Sequence, residues 1–274
     1  MAEFLQQNAI DVSLGLAIWL LALAIPFRRL AARPDIGWDV VAALGTTVFA
    51  MGADALLSMP VDWVMTRIDG WYALIENAAW WLVIPSYIVL ADLGAYWAHR
   101  ALHTRWLWST HAWHHSAQYL YWLSGLRGSP IHILVLSAPY FLAFIIFPLP
   151  ETAIVGLAIL VLDASNQHYI HSNLKIPYAK QIERVLVTPR YHFVHHSAQP
   201  SIANSNYGFI FSVWDHLFHT YTDPDAVPVD DSLGLSYEIS NWRLVLGLPS
   251  REPRDLTRAP IVVRSRNGKA LPIE

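Results

Sequence analysis

The chain has 274 residues, of which 54% are hydrophobic and 14% charged; it carries 13 histidines, no cysteine and a formal net charge of −3. Soluble domains carry about 25% charged residues, so the composition argues against an ordinary soluble globule and for burial in lipid. The small charge gives no sign of nucleic acid or a strongly charged substrate as partner, and the lack of cysteine excludes disulfides, thiolate metal sites and cysteine-held iron–sulfur clusters.

In chain order, apolar runs near the roughly 20 residues that span a bilayer fall at Val12–Phe27, Ile36–Met59, Leu74–Trp97, Ile131–Leu149 and Thr152–His168. The residues before the first run lack the basic region of a cleavable signal, so that run is expected to be retained. Asp39 and Asp54 interrupt the second run, Glu76 and Asp92 the third, so neither is a clean lipid-facing span. The last two are short and joined by Pro148-Leu-Pro-Glu151, a helix-breaking hairpin that either spans twice or dips in and returns. Arg28, Arg29 and Arg33 follow the first run, against no Lys or Arg in the first eleven residues. The positive-inside rule then puts the N-terminus outside and the regions after the third and fifth runs in the cytoplasm. Seven basic and three acidic residues from Arg243 to Glu274 suit the same face.

The expected fold is an all-α integral membrane protein, with four to five membrane helices and a cytosolic histidine-rich helical cap. It reads as one domain over 1–274. Membrane helices occupy 1–97 and a first cap segment 98–130. A membrane hairpin at 131–168 and a second cap segment with the tail, 169–274, complete it. No internal repeat appears. The acidic run Asp223, Asp225, Asp230 and Asp231 reads as a solvated loop.

Ten of the histidines crowd into four stretches: His99 and His103; His111, His114 and His115; His168 and His171; His192, His195 and His196. Positions i, i+3 and i+4 share a helical face, so each stretch is expected to aim its imidazoles at one point. Eight to ten convergent imidazoles exceed what one ion coordinates, and imidazole suits iron, zinc and copper. Two metals are the natural reading. The alternative, interfacial histidines bonded to lipid head groups, would suit one isolated pair better than two HxxHH stretches. His171 is favoured as a ligand and His168 left open. His132 reads as interfacial, and His216 and His219 as packed or supporting the ligands. Asp92, Tyr96, His99 and His103 follow one another by four, three and four residues and so share a face. A buried aspartate there is costly unless paired, and a bond from the second ring N–H of a ligating histidine would answer that cost.

Other chemistries fit poorly. There is no H-E-x-x-H, no Gly-rich phosphate loop and no nucleophile elbow. A structural zinc would need four ligands, and a haem one or two isolated histidines.

Asp92-x-x-x-Tyr-Trp-x-His-Arg-x-x-His103, His111-x-x-His-His-Ser116, Tyr191-His-x-x-His-His196, Asn206-Tyr-Gly208 and Trp214-Asp-x-Leu-Phe218 together resemble the fatty acid hydroxylase / sterol desaturase superfamily of membrane di-iron enzymes. The resemblance runs from about Asp92 to Tyr221. It implies two iron ions, with zinc able to replace them on isolation, and an O₂-dependent oxidation of a lipid C–H bond. By position it assigns His99, His103, His111, His114, His115, His192, His195 and His196 as ligands, with His171 the intervening one. Asp92 and Tyr96 would support them. Two departures stand out: Arg127-Gly-Ser-Pro130 where the family often has Arg-x-His-Pro, and His219 where a glycine is usual. The chain carries no haem or flavin motif, so a separate reductase or ferredoxin-like donor is expected. The products of hydroxylation and desaturation are both open. So are two other classes: a membrane protein that binds or moves metal without oxidising anything, and a zinc-loaded hydrolase.

Overall fold

The computed structural model describes residues 2–30, 32–147, 166–228 and 232–250, with the strand residues 263–264 and 270–271. The N-terminal half is built of apolar helices: α1 (Ala2–Ala24), α2 (Ile36–Met65), α3 (Asp69–Glu76), α4 (Trp80–Leu102), the single turn α5 (Trp108–His111) and α6 (Pro130–Ile146). The expected run Leu74–Trp97 is divided between α3 and α4. Asn77 causes the break, because its side-chain amide bonds back to the Ala73 carbonyl at 2.7 Å, a local bond that competes with helix continuation. α6 starts where Ser129 accepts from the His132 amide and Pro130 takes the first helical position, where its missing N–H costs nothing.

α4 and α6 pack through small buried residues, Ala91 in one cluster with Ala143 and Ala95 in another with Leu136 and Tyr140 of α6. At Gly94 the two helices approach closely, since a Cβ there would lie 2.7 Å from the Pro139 Cβ. Among the described residues, Trp80–Leu102 is the one helix long and apolar enough to cross a bilayer; Ala9–Ala24, Ile36–Phe49 and Pro130–Ile146 are shorter apolar stretches. Their outer faces carry Leu20, Leu44, Val48, Leu82 and Leu142, each more than half exposed. Asp39 points the other way. It is 1% exposed, accepting from Arg127 Nε at 2.5 Å and the Tyr121 hydroxyl at 2.8 Å.

The Pro148–Glu151 link and most of Thr152–His168 lie outside the described residues, apart from helical residues 166–170. So do the side chains of Asp54 and Glu76, Asp230, Asp231 and most of the basic C-terminal stretch.

Beyond residue 170 the chain folds into short turns over the helices: α7 (Ala179–Ile182), α8 (Pro189–His195), α9 (Pro200–Ala203), α10 (Val213–Leu217) and α11 (Asn241–Val245). A two-residue antiparallel pair, Val263–Arg264 with Ala270–Leu271, follows. Backbone bonds hold this cap in place: Phe27 N to Asn173 O at 3.0 Å, Lys175 N to Ile25 O at 2.9 Å, Val187 N to Ile210 O at 2.9 Å and Ser212 N to Val185 O at 3.0 Å. α8 is capped by Thr188, with Pro189 at its first position. Arg190 on α8 grips buried Glu183 with two bonds, at 2.9 and 2.7 Å. Asp225 also bonds Arg190 and Lys180, so this member of the acidic run ties down the cap and is not merely solvated.

Candidate metal centre

Nine imidazoles meet inside the molecule in two groups. His99, His103, His111, His115 and His195 form one, and His114, His171, His192 and His196 the other; within each, the potential ligand atoms lie within 4.8 Å of one another and every residue is buried. α4 delivers His99 and, at its C-terminus, His103. α5 and the 3-10 turn His114–Ser116 bring His111, His114 and His115. α8 brings His192, His195 and its C-cap His196.

Each HxxHH stretch is divided between the groups. His111 and His115 join the first while His114 joins the second; His192 and His196 join the second while His195 joins the first. The expectation of one target per stretch is corrected here, and helix geometry explains why. At 3.6 residues per turn, i+4 returns to about 40° from i, while i+3 falls about 60° to the other side.

The proton positions decide what the groups can hold. The Tyr207 carbonyl accepts from His99 Nδ1 at 2.9 Å, the Gln167 carbonyl from His171 Nδ1 at 2.9 Å, and the Arg127 carbonyl from His114 Nδ1 at 3.2 Å. A neutral imidazole has one N–H, so Nε2 of each carries a bare lone pair. Yet His114 Nε2 and His171 Nε2 lie 3.2 Å apart, and His171 Nε2 lies 3.1 Å from His192 Nε2, itself 3.1 Å from His196 Nε2. In the first group His111 Nε2 is 3.1 Å from both His99 Nε2 and His115 Nε2. His195 donates Nδ1–H to the Ser205 carbonyl at 2.8 Å, and its buried Nε2 has no hydrogen-bond partner. Lone pairs facing lone pairs repel unless a cation lies among them. Metal–nitrogen bonds of about 2.0–2.1 Å place neighbouring ligand nitrogens roughly this far apart. The donor set therefore fits a metal ion in each group. Burial, followed by the neighbouring imidazoles, holds His192, His195 and His196 well below the ordinary histidine pKa, and keeps them neutral as ligation requires.

A loop that the sequence marked only by Asn206-Tyr-Gly208 orients three of these rings. Asn204 Oδ1 meets His103 Nδ1 at 3.1 Å, while the Ser205 and Tyr207 carbonyls serve His195 and His99. Asn206 takes the left-handed conformation, φ 56°, and its side chain bonds Tyr191 O, Thr222 O and Thr222 N. Asp215 on α10 anchors the loop, accepting from Tyr207 N at 2.9 Å, Gly208 N at 2.8 Å, Tyr191 Oη at 2.8 Å and Thr220 Oγ1 at 2.6 Å. A carbonyl leaves no mark in the side-chain sequence, which is why this shell was not legible.

Asp92 sits on the expected face of α4 but, among the described residues, hydrogen-bonds to no histidine. Its carboxylate accepts from Ile210 N, Phe211 N and Trp214 Nε1 at 2.9, 3.0 and 2.8 Å. It thus anchors the cap segment next to the loop. Tyr96 shares a hydrogen bond with Thr220 Oγ1 at 2.8 Å and stacks on Phe218. His168 stays outside both groups: Nε2 bonds Asp11 at 2.8 Å, tying α1 to the cap. His216 bonds the Glu183 carbonyl. His219 is exposed with a left-handed φ of 57°, the backbone form that glycine adopts without cost. Ser129, at the other departure, caps α6 and donates to the Thr110 carbonyl. His132, expected at an interface, is 6% exposed.

A cavity of about 750 Å³ adjoins the groups, its wall shared by His99, His111, His114 and His132 with Tyr87, Ala91, Leu136, Tyr140 and Phe209. It lies largely between α4, α6 and the cap.

Among curated relatives, an alkylglycerol monooxygenase of Danio rerio is 30% identical over 168 residues, 60% of this chain and 34% of that protein. The ornithine lipid hydroxylase OlsE of Rhizobium tropici is 29% identical over 167 residues, 56% of this chain and 45% of its own. A lathosterol oxidase of Rattus norvegicus is 26% identical over 159 residues, 58% and 49%. The chain thus spans between a third and a half of the length of these relatives. No solved structure matches it. The fatty acid hydroxylase family matches residues 84–220, half the chain and the stretch that holds all nine clustered histidines: the protein belongs to that family.

Proposed function

We propose that the protein is a membrane-embedded, O₂-dependent oxidase that hydroxylates or desaturates a lipid or sterol-like substrate, with its nine clustered histidines holding two iron ions. The observation that carries this reading is the pair of buried imidazole groups whose Nε2 atoms face one another at 3.1–3.2 Å, with His114 and His171 both turning bare Nε2 lone pairs inward. Support for the substrate class comes from the relatives, whose names speak of alkylglycerol, ornithine lipid and lathosterol. Activation of O₂ at the metal site itself needs a metal that changes valence, which zinc does not, and the resemblance selects iron.

When bound, the irons would supply O₂ activation and removal of hydrogen from an unactivated carbon. The protein's share is position and exclusion of water. Carbonyls of Tyr207, Ser205, Arg127 and Gln167 fix four imidazoles in the Nδ1–H form and turn Nε2 inward. Such outer partners typically change metal affinity 10–100-fold. Tyr87, Ala91, Leu136, Tyr140 and Phe209 give the cavity an apolar wall beside His99, His111 and His114, suited to an aliphatic carbon. Hydroxylation places one oxygen atom in the C–H bond and releases the other as water, taking up two electrons and two protons. A separate reductase or ferredoxin-like protein supplies the electrons. The exposed apolar residues of α1, α2, α4 and α6 would lie in lipid, with the histidine cap on the cytoplasmic face.

Lipid mass spectrometry of cells with and without the protein tests the reading, +16 marking hydroxylation and −2 desaturation. His114→Ala and His195→Ala should each remove metal and abolish turnover. Two bound metals with no O₂-dependent product would instead indicate a metal-binding or transporting protein.

A further inference from the structure

His132 belongs to neither imidazole group, yet it sits against both. It opens α6, its amide held by Ser129 Oγ at 3.3 Å. Its Nδ1 lies 2.7 Å from Nδ1 of His111, with ring planes within 11° and centroids 4.8 Å apart. Two nearly coplanar rings with that nitrogen contact meet edge to edge, as an N–H···N hydrogen bond requires. The ring is also seated tightly: a Cβ on Gly128 would come 2.7 Å from its Cδ2. It shares the cavity wall with His99, His111 and His114.

The protons in this pair are not free to choose. His111 presents Nε2 to His99 and His115 at 3.1 Å, so as a neutral ligand it must carry its proton on Nδ1. That proton can go only to His132 Nδ1, which must then be the bare nitrogen of its ring. His132 is thereby fixed with its own proton on Nε2, a donor on a ring that lines the cavity.

We infer that His132 is a positioning residue of the first metal site. It accepts from His111 Nδ1–H, holds that ring in the ligating tautomer, and acts through His111 without touching the metal. The inference rests on reading the two histidine groups as metal sites. His99 and His195 are served by main-chain carbonyls, whereas His111, served by a side chain, has an orientation that a single substitution can undo.

The test uses the full-length protein purified in detergent, with iron per chain measured against a graded series of chelator concentrations. The wild-type chain should hold two irons; fewer would overturn the reading of the groups and not this inference. His132→Leu fills the space without an acceptor and should release one iron at about 10–100-fold lower chelator activity than wild type. The second iron, held by His114, His171, His192 and His196, should be retained and serves as the check of folding. His132→Asn restores an acceptor oxygen close to the place of Nδ1 and should recover wild-type retention within about 3-fold. Three results would overturn the inference: wild-type retention of both irons by His132→Leu, loss of both together, or an Asn variant no better than Leu. The last would mean that His132 ligates metal directly or serves packing alone.

Discussion

A Cβ placed on Gly125 would come 2.7 Å from Nδ1 and 2.8 Å from Cγ of His171. The 3-10 turn Ser124–Leu126 therefore presses bare backbone against one imidazole of the second group. Gly125→Ala should push that ring away from Gln167 and lower metal content to about one ion per chain, with helicity unchanged by circular dichroism. His219 gives the opposite case. It is exposed and left-handed, at a position where the resemblance leads one to expect glycine. A left-handed L-residue costs about 1–2 kcal/mol, against about 0.5–1 kcal/mol of extra chain entropy for glycine. His219→Gly should then stabilise by roughly 0.5–1 kcal/mol in thermal unfolding and leave metal content alone. The spacing of the histidines picked out those that the structure brings together. It could not assign them to groups, because i+3 and i+4 leave a helix in different directions and only the facing elements decide which target each meets. Nor could it show that Asp92, two turns before His99, reaches sideways to Ile210, Phe211 and Trp214.

At the scale of elements, the loop 204–208 is held by α10 through one carboxylate. Asp215 receives four hydrogen bonds, two on each oxygen. An amide in its place would turn its own N–H₂ toward two of those donors, and leaving such groups unpaired costs about 1–3 kcal/mol each. Asp215→Asn should unfold more easily by that order. It should also weaken metal retention at the first group more than at the second, since His99, His103 and His195 lean on this loop. A chelator titration with equal loss at both groups would contradict this. The α4–α6 pair shows how far elements were legible. Both helices follow from apolar runs, while the Ser129 cap that starts α6 is seen only in the structure. Their close approach at Gly94 and Pro139 was hidden, because a glycine in an apolar run carries no label of its neighbour. The break at Asn77 was missed for a related reason: the competing side-chain bond is local and overrides a continuous hydrophobic pattern.

Across the whole molecule, the two imidazole groups stitch the cap to the helices. α4 and α8 share no long interface of their own among the described residues, yet His99 and His195, with ring centroids 4.3 Å apart, belong to one group. Ligands that bind only the folded state stabilise it by mass action, so removing metal should lower the melting temperature and raise amide exchange over residues 99–115 and 189–208 first. Unchanged exchange there after chelation would mean that packing alone holds the cap.

The division of the histidines also has a temporal side. As the chain emerges from its N-terminus, His99, His103, His111 and His115 appear close together, four of the five in the first group. The second group has one member, His114, in that stretch and waits for His171, His192 and His196. Order along the chain would then set an order of assembly during synthesis. The first group is nearly complete while the second is a single ring, and His195 and His196, adjacent in sequence, arrive together to complete them both.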